Sequence, residues 1–134
     1  MKKLNEVALA YIKYCSAIET ARDEFGEQIK MLLELPTRTT IRTGFWEGRK
    51  YIYFQKDSRY ISFCTIDGTV EMWIGFPVEP KKNYEKRIKI VKSMIKNLEK
   101  TCEEGKWVYF GKECSIKNFK GELEVFAEAF KALK

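Results

Sequence analysis

The sequence predicts an α+β fold in which a four-stranded antiparallel meander packs against helices, in the order α-β-β-β-β-α-β-α. Residues 37–76 contain four short runs of alternating apolar residues with turn sequences between them, a pattern typical of consecutive hairpins. The segments on both sides carry apolar residues at helical spacing. No linker or low-complexity segment interrupts the 134 residues, and we expect residues 1–134 to form a single domain.

Residues 3–35 are predicted to form one long N-terminal helix. Apolar or aromatic residues recur every seven positions from Leu4 to Leu32, which is typical of an amphipathic helix, and Pro36 ends the pattern. A straight helix of this length would extend about 45 to 50 Å at about 1.5 Å per residue, further than a small sheet. We therefore expect the helix either to bend near Gly26 or to project and pair with another chain.

The turn sequences fix the register of the meander. Asp67-Gly68 is typical of a type I′ turn, and it places Phe63 opposite Met72. A four-residue turn at 56–59 and a two-residue turn at Glu47-Gly48 set the other two hairpins. A slip of one residue would move every side chain to the other face, yet all three registers place the same apolar residues together. These are Ile41, Phe54, Ile61 and Ile74 in one row, with Ile52, Phe63 and Met72 beside it.

A second helix, a fifth strand and a last helix are predicted after the meander, which Pro77 and Pro80 end. The second helix would begin at the cap residue Asn83 and end at Gly105, and "KWVYFGK" (106–112) predicts the strand. Asn118 would cap the last helix. The second helix would bury Tyr84, Ile88, Val91, Ile95, Leu98 and Cys102, and the last would bury Phe119, Leu123, Phe126, Phe130 and Leu133.

The composition argues against several classes of chemistry. The chain has no histidine, which removes Ser-His and Cys-His nucleophile pairs. None of its four cysteines forms a CxxC pair, so that a zinc site is not expected. Neither a P-loop nor a GxGxxG motif occurs. We therefore expect a protein that is not an enzyme and has no catalytic residues, cofactor or metal.

The charge and hydropathy of the chain bear on its partners and its compartment. Twenty-five basic residues against 19 acidic ones give a net charge of +6, which attracts polyanions but also serves solubility. Glu6 and Lys13 interrupt the apolar start, and no uncharged stretch approaches the length of a membrane span. The cysteine pattern fits a reducing compartment. We expect a cytoplasmic protein that does not bind membranes.

The predicted order of elements is similar to the core order of restriction-endonuclease-like nucleases. Those enzymes hold a divalent metal with an aspartate and a later (D/E)-x-K triplet, and this chain has Asp67 and then Glu79-Pro80-Lys81. Nine or ten extended residues would separate the two carboxylates by roughly 30 Å, whereas metal ligands lie at about 2 to 2.6 Å from the ion. The resemblance therefore implies at most an inactive relative.

The second face of the meander is predicted to carry aromatic and cationic residues. The registers align Arg42, Tyr53, Ser62 and Trp73 in one row and Gly44, Tyr51, Cys64 and Glu71 in the next, with Tyr60 and Gly75 beyond them. Two interpretations stay open. In the first, a helix covers this face, and the polar tips of the rings reach partners at its edges. Alternatively, the face is open, and its rings and arginines bind a protein or stack the bases of a nucleic acid.

We predict a non-enzymatic intracellular module that binds a protein partner, self-association included, through this face. Nucleic acid is the alternative partner, and an inactive nuclease relative is the weaker alternative. Arg38 lies further along the first strand on the same side. The candidate binding residues are Arg38, Arg42, Tyr51, Tyr53, Tyr60 and Trp73.

Overall fold

Residues 3–66 and 68–134, which the computed structural model describes, form a six-stranded antiparallel sheet and three α-helices. The strands lie side by side in the order β1-β2-β3-β4-β6-β5. The predicted α+β class is confirmed, but the predicted sheet of four strands is wrong, because β6 pairs with β4 and β5 pairs with β6. The elements are α1 (Leu4–Leu32), β1 (Arg42–Trp46), β2 (Arg49–Lys56), β3 (Arg59–Ile66), β4 (Thr69–Pro77), α2 (Lys81–Met94), β5 (Lys100–Glu104), β6 (Trp107–Ser115), a 3₁₀ turn (Ile116–Asn118) and α3 (Phe119–Ala132).

The first four strands pair in the predicted register. Phe54 lies opposite Ile61, and Phe63 lies opposite Met72. These four side chains are buried on the same face of the sheet. The agreement follows from the side-chain period of two, because only one register buries the apolar set of every strand at once.

Residues with positive φ form the turns of the meander. Glu47-Gly48 have φ values of 50° and 77°, as the two-residue turn between β1 and β2 requires. Asp57-Ser58, with φ values of 53° and 58°, close the next hairpin as a two-residue turn inside the predicted segment 56–59. Gly68 has a φ of 84° in the third turn. Asp67, predicted beside it, lies outside the described residues.

The second helix is shorter than predicted, and a strand follows it. Helix α2 begins after Pro80 and ends at Met94, and the chain from Lys100 to Glu104 forms β5. The predicted helix end at Gly105 is wrong, because Gly105, with a φ of 60°, lies in the turn between β5 and β6. Cys102 matches a spacing of four from Leu98, but its neighbours also alternate as a strand requires, and pairing with β6 decides the structure.

The hydrophobic core lies between the three helices and one face of the sheet. Helix α3 is the last predicted helix and contacts β3, β4 and β6, whereas α1 contributes only its C-terminal part. Burial of this shared surface is the main favourable term in folding. The sheet contributes Phe54, Ile61, Phe63, Met72, Ile74, Phe76, Val108 and Phe110, and the helices contribute Ile29, Val91, Phe126, Ala127 and Phe130.

Helix α1 is continuous from Leu4 to Leu32 and extends about 44 Å at about 1.5 Å per residue. Gly26 is buried against the segment that precedes β1, where an added Cβ would stand 2.5 Å from Cδ1 of Ile41. This glycine therefore provides close packing of the helix on the domain. Residues 4–21 of the helix are exposed, apart from the half-buried Cys15.

Candidate binding face of the sheet

The side of the sheet away from the core, here called the aromatic face, carries six half-buried aromatic rings and, on the edge strand β1, the exposed ring of Trp46. Alternation places side chains at successive positions of a strand on opposite sides, and the observed registers bring these six to the same side. Among the described residues, the buried helical side chains belong to the core on the opposite side. No helix therefore covers the six rings, which are Tyr51, Tyr53, Tyr60, Trp73, Trp107 and Tyr109.

Three glycines let rings of the aromatic face lie directly on the backbone of a neighbouring strand. Gly111 is paired with Trp73, and a Cβ at Gly111 would meet three adjacent fused-ring carbons of the indole at 2.6 to 2.8 Å. Because these distances are nearly equal, one indole face lies on the glycine and the other points away from the sheet. Gly75 is likewise covered by Tyr109.

The third glycine, Gly44, is covered by Tyr51, whose hydroxyl oxygen would stand 2.6 Å from an added Cβ. Gly44 and Tyr51 are direct neighbours on β1 and β2. A glycine under an aromatic side chain on the adjacent strand allows the ring to pack on the main chain. The three pairs therefore hold rings flat along the sheet from β1 to β6.

The tyrosine rings also contact one another across the strands. Tyr53 stacks on Tyr60 with centroids 5.7 Å apart, and Tyr60 meets Tyr109 edge to face at 5.0 Å. Trp107 stacks on Tyr109 at 6.3 Å. These separations lie in the range where aromatic pairs attract beyond simple burial. The rings are thus partly buried by each other while their outer surfaces stay accessible.

A cavity of about 140 Å³ opens among these rings. Glu104, on the edge strand β5, is exposed at the side of the cavity, whereas Ser62 and Glu71 are buried within the aromatic face. The cavity combines aromatic walls with a few polar groups, which is the usual character of a recognition site. Its lining consists of Trp46, Arg49, Tyr51, Tyr60, Ser62, Cys64, Glu71, Trp73, Cys102, Glu104 and Tyr109.

Glu71 is the buried charge of the aromatic face, with only 4% of its surface exposed. Its carboxylate accepts a hydrogen bond of 2.6 Å from Nε1 of Trp73 and one of 2.6 Å from Nζ of Lys100. Nη1 of Arg49 lies 3.9 Å away. Burial alone would raise the pKa of Glu71, but these bonds and charges outweigh it and hold the pKa below its ordinary value. The ionised carboxylate therefore fixes the position of the indole.

The neighbouring tyrosines and Cys64 stay protonated at neutral pH. Burial raises the pKa of Tyr60. Burial and then the charge of Glu104 raise the pKa of Tyr109. Burial and then the charge of Glu71 raise the pKa of Cys64. The environment of the cavity thus disfavours additional negative charge, and it opposes a nucleophilic role for this thiol.

The complete sheet balances the charge that the first four strands bring to this side. Strands β5 and β6 add Glu104 and Glu113 to Glu71, and they add one cation, Lys100. The registers place three carboxylates and three cations on this side of the sheet. The cations are Arg42, Arg49 and Lys100. Their formal sum is zero, whereas the sequence reasoning described a cationic surface.

Five of the six predicted candidate residues share this side of the sheet, and Arg38 does not belong to it. Arg38 is exposed in the connection before β1, outside the sheet. Sequence reasoning missed Trp107, Tyr109, Lys100 and Glu104, because it left the fifth strand without a neighbour and treated residues 100–104 as helix. In "WVYFG" (107–111), Trp107 and Tyr109 stand two positions apart, and a strand would place both rings on the same side. The five that meet there are Arg42, Tyr51, Tyr53, Tyr60 and Trp73.

The nuclease-like pair of acidic residues does not form a site in the described part of the chain. The side chain of Glu79 is 70% exposed and lies 3.9 Å from the ammonium group of Lys106. Asp67 lies outside the described residues. Within residues 3–66 and 68–134, no group of three or more Cys, Asp or Glu side chains is arranged to hold a metal ion.

Comparisons with known proteins returned no match. No protein-family model matches the chain, and neither the curated proteins nor the solved structures gave a significant match. None of the helices in the described ranges combines the length and the hydropathy needed to cross a membrane.

Proposed function

We propose that this protein is a non-enzymatic binding module that engages a protein partner through the aromatic face. The observation that carries the proposal is a set of six half-buried rings with a cavity among them, on a sheet side that no described helix covers. Tyrosine, tryptophan and arginine are the residues most enriched among those that dominate protein interfaces. Their positions are fixed before binding, which lowers the entropic cost of association.

The charge balance of this side favours a protein over a nucleic acid. Phosphate groups bind where cations outnumber acids, but here Glu71, Glu104 and Glu113 match the cations in number. Nucleic acid is the second candidate, supported by the net charge of +6 of the whole chain and by rings that can stack bases. A steep fall of affinity with salt would indicate phosphate contacts, and we expect a shallow dependence.

Affinity capture with matched variants tests the proposal. We expect Tyr53→Ala and Arg42→Ala to lose a protein that the unchanged chain retains, and Phe45→Ala to retain it. Phe45 is 73% exposed on the opposite side of β1, so that its truncation controls for a general loss of apolar surface. Binding should then be reproduced with the purified partner, where truncation of a central anchor commonly costs about 2 kcal/mol or about thirtyfold in affinity. Equal capture by all three variants would contradict the proposal.

The free part of α1 supplies a second candidate interface, for self-association. Leu4, Tyr11 and Ile18 are 85%, 66% and 41% exposed, although they continue the stripe on which Phe25 packs against Phe63 with centroids 6.0 Å apart. Exposed apolar side chains in a continuous stripe mark an interaction surface. A second copy of the chain offers the same stripe, and heptad spacing suits helix pairing.

A further inference from the structure

We infer that the cavity of the aromatic face receives the cationic side chain, arginine or lysine, of the protein partner. The inference rests on the proposed function and names the chemical group that its central site recognises. The cavity of about 140 Å³ is smaller than the roughly 300 to 1,000 Å³ typical of pockets for drug-sized ligands. Its size therefore suits one inserted side chain.

The walls of the cavity present aromatic surfaces to the incoming group. Trp73 is held with one indole face on Gly111, which leaves its other face towards the open side. Tyr51 and Tyr109 also lie over glycines, and Tyr60 meets Tyr109 edge to face. The face of an aromatic ring carries negative potential and attracts ammonium and guanidinium groups placed over it.

The fixed charges around the cavity leave one negative charge without a matching cation. The charged residues that line the cavity are Glu71, Glu104 and Arg49, so that the formal sum at its wall is −1. Arg42 is not part of this lining, and Lys100 and Glu113 beside it cancel each other. Lys100 bridges Glu71 and Glu113 at 2.6 Å each. Glu104 lines the cavity from β5, where its carboxylate can meet a cation that enters from solvent.

The pKa shifts of two tyrosines in the cavity wall bear on the sign of the charge that the cavity accepts. The pKa of Tyr109 is raised by burial and by the charge of Glu104, and that of Tyr51 is raised by burial, by Tyr53 and by Glu104. Burial is the larger cause of both shifts and disfavours any charge, whereas the contribution of Glu104 has the sign that favours a cation beside these rings. A phosphate or carboxylate guest would meet the opposite sign.

A capped arginine and its neutral isostere test the inference on the full chain. Nα-acetyl-argininamide and Nα-acetyl-citrullinamide have nearly the same shape and differ in charge. The measurement is the NMR shift of the Trp73 indole N–H, which the spectrum of Trp73→Phe assigns among the three tryptophans. We expect the arginine probe to shift this signal in a saturable manner and to bind at least about tenfold more tightly than citrulline.

Two charge variants with opposite expected effects sharpen the test. Glu104→Gln should weaken the arginine probe about three- to tenfold, and Arg49→Gln, which removes a competing cation from the wall, should strengthen it by a similar factor. Glu103→Gln is the matched control, because Glu103 is the adjacent exposed residue of β5 on the opposite side of the sheet. Citrulline binding should be unchanged in all three.

Several outcomes would overturn the inference. These are equal binding of arginine and citrulline, equal effects of Glu104→Gln and Glu103→Gln, or no saturable shift with the arginine probe. Loss of partner capture by Tyr53→Ala would then still support the aromatic face as a binding surface. Conversely, arginine binding with unchanged capture by Tyr53→Ala would contradict the proposed function and leave the cavity as a separate cation site.

Discussion

Glycine residues determine how the rings of the aromatic face are held. At Gly44, Gly75 and Gly111, a methyl group would occupy space that a neighbouring ring fills. These glycines are therefore required for contact rather than for an unusual backbone conformation, since none of the three has a positive φ. The same rings would be displaced from the sheet by any larger residue.

Gly111→Ala and Gly121→Ala should change stability in opposite directions. Alanine at position 111 would overlap the indole of Trp73, and such overpacking costs about 1 to 3 kcal/mol. Position 121, in α3, has no atom within 4 Å of the added Cβ, and alanine in a helix is favoured over glycine by about 0.5 to 1 kcal/mol. Urea denaturation of both variants measures the difference. A neutral or stabilising Gly111→Ala would show that Trp73 does not lie on this glycine.

Glu71→Gln should destabilise the protein at neutral pH and much less in acid. Loss of hydrogen bonds to a charged group costs about 1.5 to 3 kcal/mol. The pKa of Glu71 is lowered in the folded state, so its contribution is fully present above the ordinary value of 4.5 and is lost as pH falls through the lower folded value. Urea denaturation of the variant and the unchanged chain at pH 7 and pH 3 should therefore show a difference that shrinks.

The control for the pH experiment is Glu103→Gln. Glu103 is exposed, and substitutions at such surface positions usually change stability by less than about 0.5 kcal/mol. A difference between Glu71→Gln and the unchanged chain that is the same at both pH values would show that the carboxylate is not stabilised by Lys100 and Trp73.

At the scale of the elements, the two sides of the sheet play different parts. Helices cover one side and form the core, and the rings of the other side cover only each other. On the covered side, exposure depends on the strand. Phe63 on the inner strand β3 is 4% exposed, whereas Phe45 on the edge strand β1 is 73% exposed.

Phe63→Ala should cost about 3 to 5 kcal/mol of stability, because it empties a packed site between Phe25 and Phe119. Phe45→Ala removes an exposed ring and should cost less than about 0.5 kcal/mol. Chemical denaturation measures both. A loss under about 1 kcal/mol for Phe63→Ala would mean that the covered side of the sheet has been assigned incorrectly.

Self-association through α1 should depend on its apolar stripe. The double substitution Tyr11→Glu and Ile18→Glu places two charges on the stripe and should convert an associated form to a monomer. Ser16→Glu adds a charge to the same helix at an exposed position off the stripe and should leave association unchanged. Sedimentation velocity over a range of protein concentrations measures this. A monomeric unchanged chain at all concentrations would remove this interface.

At the scale of the whole molecule, short sequence patterns predict those parts of the fold that depend on neighbouring residues alone. Turns such as Glu47-Gly48 and the alternation of β1 to β4 fixed three registers. The sequence predicts that helix α2 continues through Leu98 and Cys102, because short apolar spacings fit helix and strand alike. Residues 100–104 form a strand because they make a hairpin with β6. Strand β6 in turn pairs with β4, a contact between distant parts of the chain.

The candidate site was predictable to the same extent. The meander registers placed Tyr53 and Trp73 on one side of the sheet, but whether a helix covered that side depended on packing that the sequence does not display. Glu104 and Tyr109 joined the site through strand order β4-β6-β5. This non-local order also turned an expected cationic surface into a balanced one.

Photo-crosslinking from the aromatic face tests the central claim most directly. Tyr53→p-benzoylphenylalanine places a photoreactive ring on this face, and Phe45→p-benzoylphenylalanine places the same group on the other side of the sheet. On irradiation in cells, we predict a discrete adduct from position 53 and none from position 45, and we predict that the adduct resists nuclease and is degraded by protease. No adduct specific to position 53, or an adduct that nuclease removes, would contradict the claim that this face binds a protein.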